Sequence, residues 1–166
     1  PKVPSVSNDF SAEISSDVLA RAVNNTIFAT SNDELRPAMT GVYVNLGEKN
    51  ATFVATDGHR LVRYRRTDIK SDNGNAIIIP RKALNLLKAT LPGENTPVSI
   101  DFNLSNAFFK FGNIRMICRL IDERFPDYEN VIPTQNPIKM TIGRSEILSA
   151  LKRISIYANK TTHQVR

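Results

Sequence analysis

The sequence predicts an α+β domain made of two successive strand–helix–three-strand units, with the helices on one side of antiparallel sheets. Three observations carry that reading. Apolar residues alternate with polar ones in short runs, as in Val42, Val44 and Leu46 or Val98, Ile100, Phe102 and Leu104, which is the spacing of half-buried strands. Elsewhere they recur at helical spacing, as in Leu19, Ala22, Val23 and Thr26/Ile27 or Ala83, Leu84, Leu87 and Leu91, the stripe of a helix with one buried face. The two kinds of segment then follow one another in the same order twice.

Taken from the start, Pro1 and Pro4 make residues 1–8 an extended lead-in, because closely spaced prolines disfavour helix. A short strand is expected over Phe10 to Ile14. Ser15 or Ser16 caps a helix of about four turns with Asp17 in its first turn. The polar run Ser31–Glu34 ends it, and Arg36-Pro37 leads back to extended structure. Three strands follow: Val42–Leu46, a turn at Gly47–Asn50, and the stretch Thr52–Val62 continuing to Tyr64, folded back on itself at Asp57-Gly58. Ser71-Asp72-Asn73-Gly74-Asn75 punctuates the chain. Ala76–Ile79 then reads as a buried strand, Pro80 opens a helix that Pro92-Gly93 stops, and hairpins through Ser105-Asn106 and Gly112-Asn113 join three strands ending at Ile121.

A longer period is also visible. Ser16-Asp17-Val18-Leu19 recurs as Ser145-Glu146-Ile147-Leu148, and Ile27-Phe28-Ala29 recurs at the same offset as Ile156-Tyr157-Ala158. The expected organisation is therefore a preceding tail or linker over 1–8, a complete domain over 9–123, a proline-punctuated linker over 124–136, and the opening strand and helix of a second copy, cut short, over 137–166.

The chain has 166 residues and a formal net charge of +6. From Lys139 onward Lys139, Arg144, Lys152, Arg153, Lys160 and Arg166 face one carboxylate, Glu146, so nearly all of the excess lies there. On or beside the predicted helices sit Arg21, Arg81, Lys82, Lys88, Arg144, Lys152, Arg153 and Lys160, against Asp17 and Glu146 only. A basic helix side of this kind tracks phosphates without reading bases; the plainer reading is a solvated basic face. No membrane span or secretory leader is recognisable, which places the chain in the cytoplasm by default. Cys118 is the single cysteine, so neither an internal disulfide nor a cysteine zinc site is expected. No phosphate loop or metal-ligand spacing occurs either, and no cofactor is expected.

The reversal at Asp57-Gly58 displays His59, Arg60 and Leu61 together, which suits binding or catalysis. Adjacent turn residues rarely form a working acid–base pair, and the other histidine, His163, lies far along the chain. An enzyme is not expected. One reading left open by the residues alone is a basic α+β nucleic-acid-binding module acting by itself; another is a turn with solvated charges.

Three segments sharpen this. Ala55-Thr56-Asp57-Gly58-His59-Arg60-Leu61, the helix opening Ile78-Ile79-Pro80-Arg81-Lys82, and Arg124-Phe125-Pro126-Asp127-Tyr128 together resemble the bacterial DNA polymerase III beta subunit, the sliding-clamp family. The resemblance covers essentially the whole chain, as a middle domain plus the start of a third. It implies the DNA-clamp fold and a non-catalytic processivity factor whose homodimeric ring encircles double-stranded DNA. It implies channel cations at Arg21, Arg81, Lys82, Lys88, Lys152 and Arg153. It also implies an apolar peptide cleft at Met39, Thr56, Gly58, His59, Arg60, Leu61, Pro126, Asn130 and Val131. The partners implied for that cleft are the polymerase III catalytic subunit, the clamp loader and other proteins with a clamp-binding motif. Met39 stands where the family often has another aliphatic residue, while Asn130 and Thr162 fall at positions often basic and aromatic respectively.

Overall fold

The structure, a computed structural model, describes residues 10–69, 71, 74–162, 164 and 165. The expected lead-in over 1–8, Asp72 and Asn73 of the punctuating turn, and His163 lie outside the described residues. The chain divides into two compact units, the first ending at Tyr128 and the second beginning at Glu129.

In the first unit the order is β1 (Phe10–Ser15), α1 (Ser16–Asn24), β2 (Gly41–Leu46), β3 (Ala51–Thr56), β4 (Leu61–Arg66), β5 (Asn75–Pro80), α2 (Arg81–Thr90), β6 (Pro97–Phe102), β7 (Asn106–Phe111) and β8 (Ile114–Arg119). The repeated strand–helix–three-strand order is present as expected. Its assembly is less simple, because the halves exchange their leading strands. One antiparallel sheet runs β1-β6-β7-β8 and the other β4-β3-β2-β5. Ile14 pairs with Val98 across the first seam and Val42 with Ile79 across the second.

Alternation then sets which side chains enter the core. Ile14, Val42, Val44, Phe53, Ile77, Ile79, Ile100 and Phe109 meet Leu19 and Val23 of α1 and Leu84 and Leu87 of α2 in one buried cluster. The two helices thus share the inner side of both sheets. Gly41 is required at the second seam. A Cβ there would stand 2.6 Å from the Ile79 carbonyl oxygen.

Four local expectations are corrected. Helix α1 has nine residues rather than about four turns. Thr26 Oγ1 donates to the Ala22 carbonyl at 2.8 Å, its N–H turns to Val23, and the backbone tightens into a 3-10 turn over Ile27–Ala29. Ser15 occupies the N-cap position, but its hydroxyl meets the side chains of Asp17 and Asn95 instead of a helix N–H. Pro37 opens another 3-10 turn, Pro37–Thr40, in place of extended chain. Leu104 is not a strand residue but stands 85% exposed in a turn. Asn103 Oδ1 accepts the N–H groups of Ser105 and Asn106 there, closing the hairpin early.

The second unit holds a 3-10 turn at Glu129–Val131, helix α3 (Arg144–Ile154) and a 3-10 turn at Ser155–Tyr157. Helix followed by 3-10 turn repeats the order of α1 and its 3-10 turn, but the opening strand expected before the helix is not formed: residues 137–143 carry no strand. Within this unit Leu148, Leu151 and Ile154 share one face of α3 and are exposed.

Candidate functional site

Thr56 and Asp57 fix the reversal between β3 and β4. Thr56, 7% exposed, donates its hydroxyl to the Arg60 carbonyl at 2.8 Å and accepts the Gly58 N–H at 3.1 Å. Asp57 Oδ1 accepts the N–H groups of His59 and Arg60, both at 3.0 Å, while Oδ2 pairs with Arg60 Nε at 3.0 Å. These backbone donors, Arg60 first and His59 second, hold the Asp57 carboxyl below its usual range, and the Arg60 charge adds to them. Gly58 adopts φ +90°, which a side-chain-bearing residue enters only at a cost. A Cβ at Gly58 would also stand 2.9 Å from Arg36 Nη1.

Arg60 reaches beyond the reversal. Its Nη2 donates to the Phe28 carbonyl at 2.7 Å, and its guanidinium carbon stands 5.8 Å from the centre of the Phe28 ring. Arg36 pairs with Asp33 at 2.9 Å and accepts the Met39 N–H on its carbonyl at 3.0 Å, within the turn that holds the half-buried Met39. His59 is exposed.

Leu61 opens β4 and faces away from the main core. It joins Tyr43, Val54, Ile78, Phe125 and Tyr128 in a second apolar cluster on the outer side of the β4-β3-β2-β5 sheet. Phe125 stacks on Tyr43 with ring centres 4.9 Å apart, and Tyr128 meets both rings at 5.9 and 6.3 Å. The segment after β8 is thereby pressed onto the sheet, with the half-buried Pro126 between its two aromatic anchors. Among the candidate cleft residues, Met39, Thr56, Gly58, His59, Arg60, Leu61 and Pro126 belong to the first unit. Asn130 and Val131 belong to the second, where both are exposed.

Reading the sequence did not name Tyr43, Val54, Ile78 or Phe28 as site residues. For Val54 and Ile78 a signal exists: Phe53-Val54-Ala55 and Ile77-Ile78-Ile79 are unbroken apolar runs, which mark strands covered on both faces.

The candidate channel cations differ in how they are held. Arg21 is paired with Asp17 one turn earlier at 3.0 Å, so much of its charge is answered within α1. On α2, Lys82 and Lys88 are exposed and Arg81 is partly exposed. Ser31, Asn32, Glu34 and Thr40 border a depression of about 260 Å³ beside Arg81 and Lys82. Lys152 and Arg153 are exposed in the last turn of α3 in the second unit. No group of three or more metal-ligating side chains occurs among the described residues.

Sheets that exchange their first strands around a shared helix pair define the DNA-clamp fold. The match to the sliding clamp of Bacillus subtilis has a TM-score of 0.91 at 30% identity, over 97% of this chain and 43% of that one. The chain belongs to the DNA polymerase III beta subunit family, whose central-domain model matches residues 13–127. Curated beta sliding clamps of Staphylococcus aureus and Staphylococcus epidermidis are 35% and 34% identical over 166 residues. The chain spans 44% of their length, less than half of the relatives it matches. A Bartonella birtlesii sliding clamp solved with griselimycin aligns at TM-score 0.86 and 30% identity, over 96% of this chain and 44% of that one.

Proposed function

We propose that this chain is the middle domain, with the opening of the next, of a sliding clamp: a non-catalytic cytoplasmic subunit that encircles duplex DNA as a homodimeric ring and tethers a polymerase. The observation that supports the reading best is the Thr56–Leu61 reversal. Side-chain hydrogen bonds of Thr56, Asp57 and Arg60 hold it, and it presents Leu61 in an apolar cluster on the outer sheet face. A rigid wall of that kind suits capture of a short apolar peptide, since little conformational freedom is lost on binding.

In this reading Met39, Thr56, Gly58, His59, Arg60, Leu61 and Pro126 form the cleft wall that the first unit supplies; Asn130 and Val131, expected among the cleft residues, belong to the second unit. The occupants are motifs of the polymerase III catalytic subunit, the clamp loader and other clamp-binding proteins. Basic helix residues supply the DNA contact: Arg81, Lys82 and Lys88 in the first unit, and Lys152 and Arg153 in the second, attract phosphates without fixing a register, which permits sliding. Arg21 contributes less because Asp17 answers its charge. The domain boundaries are those of a complete domain over 9–123, a linker over 124–136 and the start of the next domain from 137. The correspondence of α3 and its 3-10 turn with α1 and the turn after it supports that division.

The test is titration of a labelled apolar pentapeptide against this chain and against the full-length parent. The parent binds, the chain binds weakly or not at all, and Leu61→Asp in the parent abolishes binding. Unchanged affinity in Leu61→Asp would refute the cleft. For the channel, Lys82→Ala lowers DNA affinity slightly and equally across sequences. A sequence-dependent loss in the same assay would remove Lys82 from that role.

A further inference from the structure

Arg60 lies in the candidate cleft wall, and a guanidinium in such a place is naturally read as a grip on an acidic or carbonyl group of the incoming peptide. Its surroundings point elsewhere. Nε is engaged by Asp57 at 3.0 Å and Nη2 by the Phe28 carbonyl at 2.7 Å. The guanidinium carbon lies over the Phe28 ring, 5.8 Å from its centre. The fork is therefore joined to two segments, its own turn and the 3-10 turn after α1, which are 32 residues apart in the chain. Phe28 is 55% exposed, and its packing in the core does not account for its position.

Resting on the cleft reading above, we propose that Arg60 is a positioning residue rather than a peptide contact, and that Phe28 is the platform on which it is locked. A planar fork that bonds through two of its edges and lies against an aromatic ring fixes both ends of what it joins, which a lysine cannot do. The lock sets the height of the reversal over the 3-10 turn, and with it the direction in which Leu61 leaves the turn. Phe28 thereby becomes a determinant of peptide affinity without touching peptide. Discrimination between acidic and neutral peptides is not an Arg60 property.

The experiment has two arms. In the isotope-labelled chain, the Arg60 Nε–H resonance carries a ring-current shift that Phe28→Leu removes and Phe28→Tyr retains. Amide exchange at Gly58 and Arg60 rises about threefold in Phe28→Leu, the scale of one exposed cation–π contact. It rises about tenfold in Arg60→Lys, which also loses the charged bond to the Phe28 carbonyl. In the full-length parent, two apolar pentapeptides are titrated, one with an acidic residue and one with its amide counterpart. Arg60→Lys weakens both by the same factor, Phe28→Leu weakens both by a smaller one, and Phe28→Tyr restores wild-type affinity.

Loss confined to the acidic peptide, with amide exchange unchanged in Arg60→Lys, would overturn the proposal in favour of a direct grip. An Nε–H shift insensitive to Phe28→Leu would overturn the lock. A wild-type parent that binds neither peptide would instead remove the cleft, and the peptide role with it, while the resonance and exchange data would still decide the lock.

Discussion

Replacing Thr56 by valine removes one hydroxyl from the centre of the reversal while keeping its shape. The structure sets the size of the effect. The Thr56 hydroxyl donates to the Arg60 carbonyl at 2.8 Å and accepts from Gly58 at 3.1 Å, within a residue only 7% exposed. The Arg60 carbonyl has a second donor in the Asp57 N–H, but at 3.4 Å, too long to replace the first. Gly58 is exposed, so water recovers part of what its N–H loses. One net hydrogen bond at about 1 kcal/mol plus a carbonyl left poorly paired amounts to about 2 kcal/mol. Thr56→Ser keeps the hydroxyl and costs less than about 1 kcal/mol, for a methyl group. Urea unfolding of the chain, with amide exchange read at Gly58, gives both values. If Thr56→Val lay within about 0.5 kcal/mol of wild type, the hydroxyl would not be holding the turn. Equal losses in Val and Ser would assign the effect to packing instead.

Two further outcomes follow from the same geometry. Asp57 titrates below the usual carboxylate value of 3.8 in the folded chain, so its contribution to stability is fully present above that value and is lost as pH falls through the lower folded one. Carbon-13 titration of the Asp57 carboxyl, folded and in urea, shows the lower midpoint in the folded state; equal midpoints would contradict the bonding described. Gly41→Ala drives a Cβ to within 2.6 Å of the Ile79 carbonyl, and the β2–β5 seam must part to receive it, at about 1–3 kcal/mol by analogy with overpacking. An unchanged urea midpoint would show that the seam has slack.

Most elements were legible because period-two and helical stripes are local properties, and turns such as Gly47–Asn50 and Asp57–Arg60 carry their own chemistry. Sheet membership was not. The alternation in Phe10–Ser15 says that one face is buried, but not that the partner is Pro97–Phe102. Leu104 extended a perfect alternation and still left the strand, since the Asn103 side chain competes for the backbone there. At the candidate site the reversal was readable from Asp57-Gly58, whereas the bond from Arg60 to Phe28 joins segments that no short window contains. The pairing of Arg21 with Asp17 was within reach: the two stand at the four-residue spacing of helical ion pairs.

The exchange of leading strands bears on how such a domain could have arisen. One strand–helix–three-strand unit alone would have a three-stranded sheet with an open edge and a first strand with no place in it. Two identical copies would satisfy each other by trading that strand, giving an intertwined homodimer with twofold symmetry. Gene fusion of such a pair would convert the symmetry axis into an internal pseudo-axis and the subunit interface into a core. Cutting the chain between Arg66 and Asn75 would separate the two units again. The two pieces, each short of the strand the other carries, are complementary parts whose association is the folding reaction itself.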